Sequence, residues 1–318
     1  MNCHCSITPV PGLFETPVKT MPQTHSKMLI ERRFPVRLRP QVASLAGAYH
    51  KEKSAHWNPI SDIPWDLLGA DDLEQQGRDA ARLMWSRRLW TAYGYLSETP
   101  ATLIRLCLEL DRPISPKFFL TVRNTQEACH IDVMQKMADA YGGYLSKPEA
   151  PAYAALLNLD LSRRVLHADT PVDAYILAHC AIKIGAEAVL YTLDNTAVKN
   201  DAVTAALSLI SGDKRRHAAF GWDFVTDRIH AWNDADRAAA TAEIVRVVDE
   251  IILSGYLTPF FAADGIADQE KAAEEHAAAA GLGSAGGARQ RRALAHYLSE
   301  TRERLQGLSI DLPEFAAA

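Results

Sequence analysis

The sequence predicts an all-α protein. Apolar residues recur at helical spacing through most of residues 71–307, and no stretch alternates apolar and polar residues over a useful length. Residues typical of helix ends interrupt this pattern. Gly142-Gly143 indicates the end of a helix, and Thr170-Pro171 indicates an N-cap followed by proline at the first helical position. With 318 residues, 48% of them hydrophobic and 23% charged, the chain can bury a large helical core.

The first elements follow from breaks in the pattern. Residues 1–55 carry scattered Pro and Arg without a sustained period, which predicts an extended arm, and residues 56–65 form an aromatic, proline-bounded entry segment. A helix is expected from about Asp71 to Leu110, with a kink at Pro100. The next helix begins after the Pro-containing segment 112–116 and ends at Gly142-Gly143.

The second half of the chain repeats this organisation. A shorter helix is expected over 148–166, and further helices follow from Thr170-Pro171, from about Asp201, over 234–262 and over 289–307. The Gly- and Ala-rich stretch 277–288 predicts a flexible linker. The predicted division of the chain is an arm at 1–55, a helical bundle at 56–262, and a linker with a C-terminal helix at 263–318.

Composition excludes several classes of partner. The net charge of −5 is spread without a strong block, so neither a nucleic-acid surface nor a polybasic membrane surface is expected. We expect no membrane span, because no uninterrupted apolar run reaches about 18 residues. The N-terminus lacks the basic-then-apolar order of a secretory signal, and five cysteines without framework spacing favour a reducing, cytoplasmic location.

Carboxylates and histidines within the predicted helices form an ordered set. Glu98 stands alone on one helix, Glu127 and His130 share a face of the next at i and i+3, Glu187 lies on a third, and His217 on a fourth. A Glu on one helix and Glu-x-x-His on the next, each repeated, is how a four-helix bundle encloses two metal ions. Burying these carboxylates unpaired would cost several kcal/mol each, roughly, and a bound cation would remove that cost.

These residues resemble the ferritin-like diiron-carboxylate superfamily, and most closely its ribonucleotide reductase small subunits, multicomponent monooxygenase hydroxylases and ligand-binding oxidases. Trp57-x-Pro59 resembles the segment that precedes the first bundle helix in those proteins, and Asp213-x-x-Arg216-His217 matches their second-half signature at three positions. The resemblance covers about half of the chain, residues 56–232. It implies a ferritin-like four-helix bundle with additional peripheral helices. The separation of Glu187 from His217 is shorter than usual, so either that hairpin is clipped or the ligand lies one turn from Glu187.

Lys214 departs from the family pattern, because it stands where the second half should carry its Glu. In one alternative Asp213, at i and i+4 from His217, binds metal instead. In another the Lys214 ammonium takes the place of one cation, as in a metal-free, lysine-containing variant known among the reductase-like relatives. In a third Lys214 turns away and leaves a coordination position open to substrate.

The resemblance implies a nonhaem oxidase or monooxygenase that activates O₂ with two Fe ions, or a mixed Mn/Fe pair, and oxidises a small organic substrate by hydroxylation or N-oxygenation. It further implies an external electron donor, a possible redox partner protein and a homodimer. Glu98, Glu127, Glu187 and Lys214 are the expected catalytic residues. The expected metal ligands are Glu98, Glu127, His130, Glu187, Asp213 and His217. The rival hypothesis is a metal-poor or metal-free scaffold, or a non-catalytic subunit of an oxygenase complex, in which Lys214 pairs with Glu127 or Glu187.

Overall fold

A computed structural model describes residues 43–109, 112–157 and 159–315, and every secondary-structure element in these ranges is helical. The all-α prediction is confirmed. The α-helices, in chain order, are α1 Ala43–Ser54, α2 Gln75–Ala92, α3 Tyr95–Leu108, α4 Ile114–Ala140, α5 Pro151–Leu157, α6 Leu161–Leu166, α7 Val172–Asn195, α8 Asp201–Arg228, α9 Asp234–Val247, α10 Asp268–Ala280 and α11 Gly287–Gln306. Helix α3 packs on α4 and α7 on α8, and the contacts between α4 and α8 join the two pairs.

Helix α7 is the central helix of the bundle. It is π-helical over Ile176–Lys183, and every residue of that segment is buried. The helix is long and apolar enough to cross a membrane by length and composition, but 78% of its most apolar window is buried inside the protein, as in the core helix of a globular domain. Gly221 of α8 allows the two helices to touch, because a Cβ atom there would lie 2.4 Å from the backbone nitrogen of Ala181.

Several predicted boundaries are wrong. The expected helix from 71 to 110 is two helices that break at Tyr93-Gly94, and Pro100 lies near the start of the second. Pro100 is the sixth residue of this helix, past the first turn, so its missing N–H removes one intrahelical hydrogen bond, the one to the carbonyl of Leu96. The segment 148–166 forms two short helices instead of one, and the helix expected to reach 262 ends at Ile252 after a π-helical turn.

Two segments expected to be irregular are ordered parts of the fold. Residues 43–54 of the predicted arm form α1, which packs on α4 and α8, and the rest of the arm lies outside the described residues. The predicted flexible linker 277–288 is wrong: α10 continues to Ala280 and α11 begins at Gly287. The small residues of this segment pack closely against the rest of the protein. Ser284 and Ala285 are buried, and the Ala285 amide donates a hydrogen bond to Asp194. The predicted domain limits stay predictions.

Candidate functional site

The residues predicted to form the site all enter the core. Helix α3 carries Glu98, α4 carries Glu127 and His130, α7 carries Glu187, and α8 carries Asp213, Lys214 and His217. Glu187 has the largest exposed fraction of the seven, at 7%. The helical spacing of these polar residues therefore predicted their burial correctly, and the question becomes what neutralises their charge.

Lys214 neutralises two of the carboxylates. Its Nζ atom lies 2.9 Å from Glu127 Oε2 and 2.9 Å from Glu187 Oε2, and 3.9 Å from the centroid of the Tyr95 ring. The Tyr95 hydroxyl donates to the Glu187 carboxylate. Burial opposes the charge, yet the two carboxylates raise the pKa of Lys214 above its usual range, so the side chain is an ammonium. Of the three alternatives for Lys214, this geometry corresponds to the replacement of a cation.

The two predicted histidine ligands face Glu127. His130 Nδ1 and His217 Nδ1 each lie 3.3 Å from an oxygen of this carboxylate. The Nε2 atom of His217 lies 2.7 Å from Gln126 Oε1. Burial lowers the pKa of His217 to about 4, so its ring is neutral near neutral pH. Within the part of the chain that the structure describes, His217 Nδ1 makes no hydrogen bond of good geometry, although it lies against the Glu127 carboxylate.

Asp213 lies behind His130 and not at the centre. Its Oδ2 atom is 2.8 Å from His130 Nε2 and accepts a hydrogen bond of 2.8 Å from Trp57 Nε1, while Oδ1 accepts from Arg216. A carboxylate that contacts one ring nitrogen of a histidine fixes the orientation of the imidazole. The other ring nitrogen then remains available to a different partner. The structure therefore places Asp213 as a positioning group, and it does not bring this side chain to Lys214.

Glu98 belongs to a neighbouring cluster. Its carboxylate accepts from Lys183 Nζ and, at 2.9 Å, from the Tyr175 hydroxyl, and it lies 3.4 Å from His179 Nδ1. His179 Nε2 lies 2.9 Å from Glu243 Oε1, which extends the cluster to α9. Although burial alone would raise the pKa of Glu98, the Lys183 ammonium and His179 hold it well below its usual range. Glu98 therefore carries a full negative charge that Lys183 balances.

Sequence reasoning missed the polar residues of this second cluster. Lys183 and His179 are completely buried in the otherwise apolar π-helical segment Ile176–Lys183 of α7. A lysine inside a long apolar helix was an available signal, because buried lysines require a partner. Glu52 of α1 was also missed, and its Oε2 accepts from Arg216 Nε at 2.5 Å while Oε1 lies 3.6 Å from His217 Nε2. It lay in the segment expected to be an extended arm.

The three glutamates predicted as metal ligands already have counter-ions. Three buried carboxylates, those of Glu98, Glu127 and Glu187, are matched by three buried cations, Arg123, Lys183 and Lys214. Two divalent metal ions would add four positive charges to this balanced set, and they would have to displace both ammonium groups from the carboxylates. Across residues 43–109, 112–157 and 159–315, no group of three or more His, Cys, Asp or Glu side chains is arranged to hold a metal ion. The residues as arranged do not fit a two-metal centre.

The space beside Lys214 is small. A cavity of about 30 Å³ has a lining that includes Tyr95, Glu187, Lys214, Arg88 and Asp194. This volume holds roughly one or two water molecules. The apolar pocket for an organic substrate that the oxidase hypothesis requires is therefore not found at this position.

Solved structures of R2-like ligand-binding oxidases have a similar fold. One such structure, with an aerobically reconstituted metal cofactor after photoconversion, is 15% identical, with a TM-score of 0.62 over 81% of this chain and 92% of that chain. A variant with an Fe/Fe cofactor is 14% identical with a TM-score of 0.62 over 80% and 91%, and a structure with a Mn/Fe cofactor is 13% identical with 0.61 over 81% and 91%. No model of a known protein family and no curated protein matches the sequence. The comparison confirms the predicted ferritin-like fold, and this chain shares that fold with the R2-like ligand-binding oxidases.

Proposed function

We propose that this chain is a metal-independent ferritin-like protein that acts as a non-catalytic subunit or scaffold by binding a partner chain. The observation that carries the proposal is the placement of two buried lysine ammonium groups on the carboxylates that would otherwise bind metal: Lys183 on Glu98, and Lys214 on Glu127 and Glu187. The geometry supports this rival of the oxidase hypothesis better than it supports the oxidase. Assembly as a homodimer and a cytoplasmic location are part of the proposal.

The physical basis is that the carboxylates are already neutralised. A divalent ion gains little from a carboxylate that a buried ammonium holds at 2.9 Å, because it must first remove that ammonium to a site where it has no partner. Lys214 and Lys183 are 1% and 0% exposed, so neither side chain reaches solvent without rearrangement of the core. The ion pairs then replace the metals as the groups that hold the four helices together.

Elemental analysis tests the proposal most directly. The protein should be expressed with added iron and manganese, then loaded anaerobically with Fe(II) or Mn(II) and freed of excess metal. We expect less than ~0.2 metal ions per chain and a melting temperature that neither metal nor chelator changes, because a metal that binds only the folded state would raise it. One to two tightly held ions per chain would overturn the proposal.

A nonhaem di-metal oxidase or monooxygenase acting on a small organic substrate is the second candidate. One observation favours it: His130 and His217 both direct Nδ1 at Glu127, and Asp213 holds the other nitrogen of His130, which is the arrangement of metal-binding histidines. Its test is reductant-dependent O₂ consumption by metal-treated protein, compared with the same protein in chelator. Consumption that depends on bound metal would favour this candidate over the scaffold.

A further inference from the structure

The second half of the bundle carries Lys214 where the repeat would place a glutamate, and Lys183 one turn before Glu187. In the first half Glu98 precedes the Glu-x-x-His pair at Glu127 by 29 residues. In the second half Lys183 precedes the Lys-x-x-His pair at Lys214 by 31 residues. Glu187 lies 27 residues before Lys214, so Lys183 and Glu187 each differ by two residues from the spacing of the first half, and the contacts decide between them.

The contacts follow the same repeat. Lys183 of the second half pairs with Glu98 of the first, and Lys214 pairs with Glu127. Each lysine therefore neutralises the corresponding carboxylate of the opposite half, and Lys214 also pairs with Glu187 of its own half. The two ammonium groups lie 4.5 Å and 3.9 Å from the centroid of the same ring, that of Tyr95, so they are neighbours at the centre of the bundle.

Burial requires this pairing. Each of the two lysines is buried with its carboxylate, and in such a pair the loss of one partner leaves an uncompensated charge in the core. A lysine on one half and a glutamate on the other are thus mutually dependent. The surrounding groups also remain in position for metal, since His130 and His217 direct Nδ1 towards the carboxylate that Lys214 occupies.

We propose that Lys183 and Lys214 are built-in counter-ions at the two positions where the bundle repeat would place its remaining carboxylate ligands, and that they hold the centre in a metal-free state. The proposal rests on the proposed function, and it adds that the rest of the centre is intact. Exchange of both lysines for glutamate should therefore turn the protein into one that binds hard divalent cations such as Fe(II) or Mn(II) through oxygen and imidazole ligands.

The test compares wild type with the double variant Lys183→Glu/Lys214→Glu, refolded or expressed with Mn(II) so that the added carboxylates are compensated. Lys53→Glu, at an exposed position of α1, is the control for added negative charge. We expect about two ions per chain in the double variant, by the four-helix di-metal pattern, and a rise of melting temperature on addition of Mn(II) or Fe(II). Wild type and Lys53→Glu should show neither.

The outcomes separate the two proposals. Metal bound to wild type contradicts the proposed function, whatever the variant does. A double variant that folds and binds no more metal than Lys53→Glu overturns the inference alone. If the double variant does not fold even with Mn(II), the role of Lys183 is tested by removing one or both charges of its pair with Glu98. Lys183→Met should lower the melting temperature. Lys183→Met/Glu98→Gln should restore most of that loss. A double change that restores nothing would refute the role of Lys183 as a counter-ion.

Discussion

Replacement of Lys214 by methionine tests whether the ion pairs of this lysine stabilise the core. Methionine retains most of the length of the side chain and removes the ammonium that lies 2.9 Å from both Glu127 Oε2 and Glu187 Oε2. At that separation each ion pair has a gross Coulomb energy of about 6 kcal/mol at an effective dielectric constant of 20. The cost of burying the ammonium offsets much of this, and removal of one partner from a buried pair costs roughly 3–5 kcal/mol.

We therefore expect Lys214→Met to lower the free energy of unfolding by about 3–5 kcal/mol and the melting temperature by roughly 4–8 °C. Urea unfolding followed by circular dichroism measures the first, and calorimetry the second. Lys53→Met, at an exposed position of α1, is the matched control and should stay within about 0.5 kcal/mol of wild type. A Lys214→Met protein as stable as this control would refute the assignment of Lys214 as the main counter-ion.

The stability difference between wild type and Lys214→Met should also depend on pH, in a direction that follows from the pKa of Glu127. The pKa of Glu127 lies well below its usual range in the folded protein, because the Lys214 ammonium and the histidines outweigh the effect of burial. Its stabilising contribution is therefore present above the unfolded pKa of 4.5 and is lost as the pH falls through the folded pKa. The difference between wild type and Lys214→Met should consequently be largest near neutral pH and decrease on acidification. A difference that grows in acid would contradict the ion-pair explanation.

Two further predictions concern the packing around the site. Burial raises the pKa of Asp194 from 3.8 to about 6, so its contribution to stability is present below pH 3.8 and is lost as the pH rises through about 6. The free energy of unfolding of wild type relative to Asp194→Asn should thus decrease between pH 4 and pH 7, and a difference that is flat with pH would contradict this. Gly221→Ala should destabilise by about 1–3 kcal/mol or more, because its Cβ atom would lie 2.4 Å from Ala181 N. Gly212→Ala on the same helix meets no atom closer than 3.5 Å and should stabilise by up to about 1 kcal/mol, and equal effects of the two changes in chemical denaturation would refute the close contact.

The sequence was informative wherever the relevant interaction is local. Apolar periodicity and boundary residues predicted the helices, and the i, i+3 spacing of Glu127 and His130 placed both on one buried face. It was less informative about helix ends. The break at Gly94 and the packing of the Gly- and Ala-rich segment before α11 depend on which surfaces approach, and composition alone does not report this.

The buried glutamates and histidines, the all-α class and the ferritin-like bundle were determined by the sequence itself, because helical spacing converts residue type into a face of the bundle. The identity of the cations that neutralise those glutamates was decided only by the tertiary structure. Lys183 and Glu98 are 85 residues apart, and Lys214 and Glu127 are 87 apart. A lysine side chain is flexible enough to point into the core or towards solvent, so its partner is set by the packing of four helices and not by its neighbours along the chain.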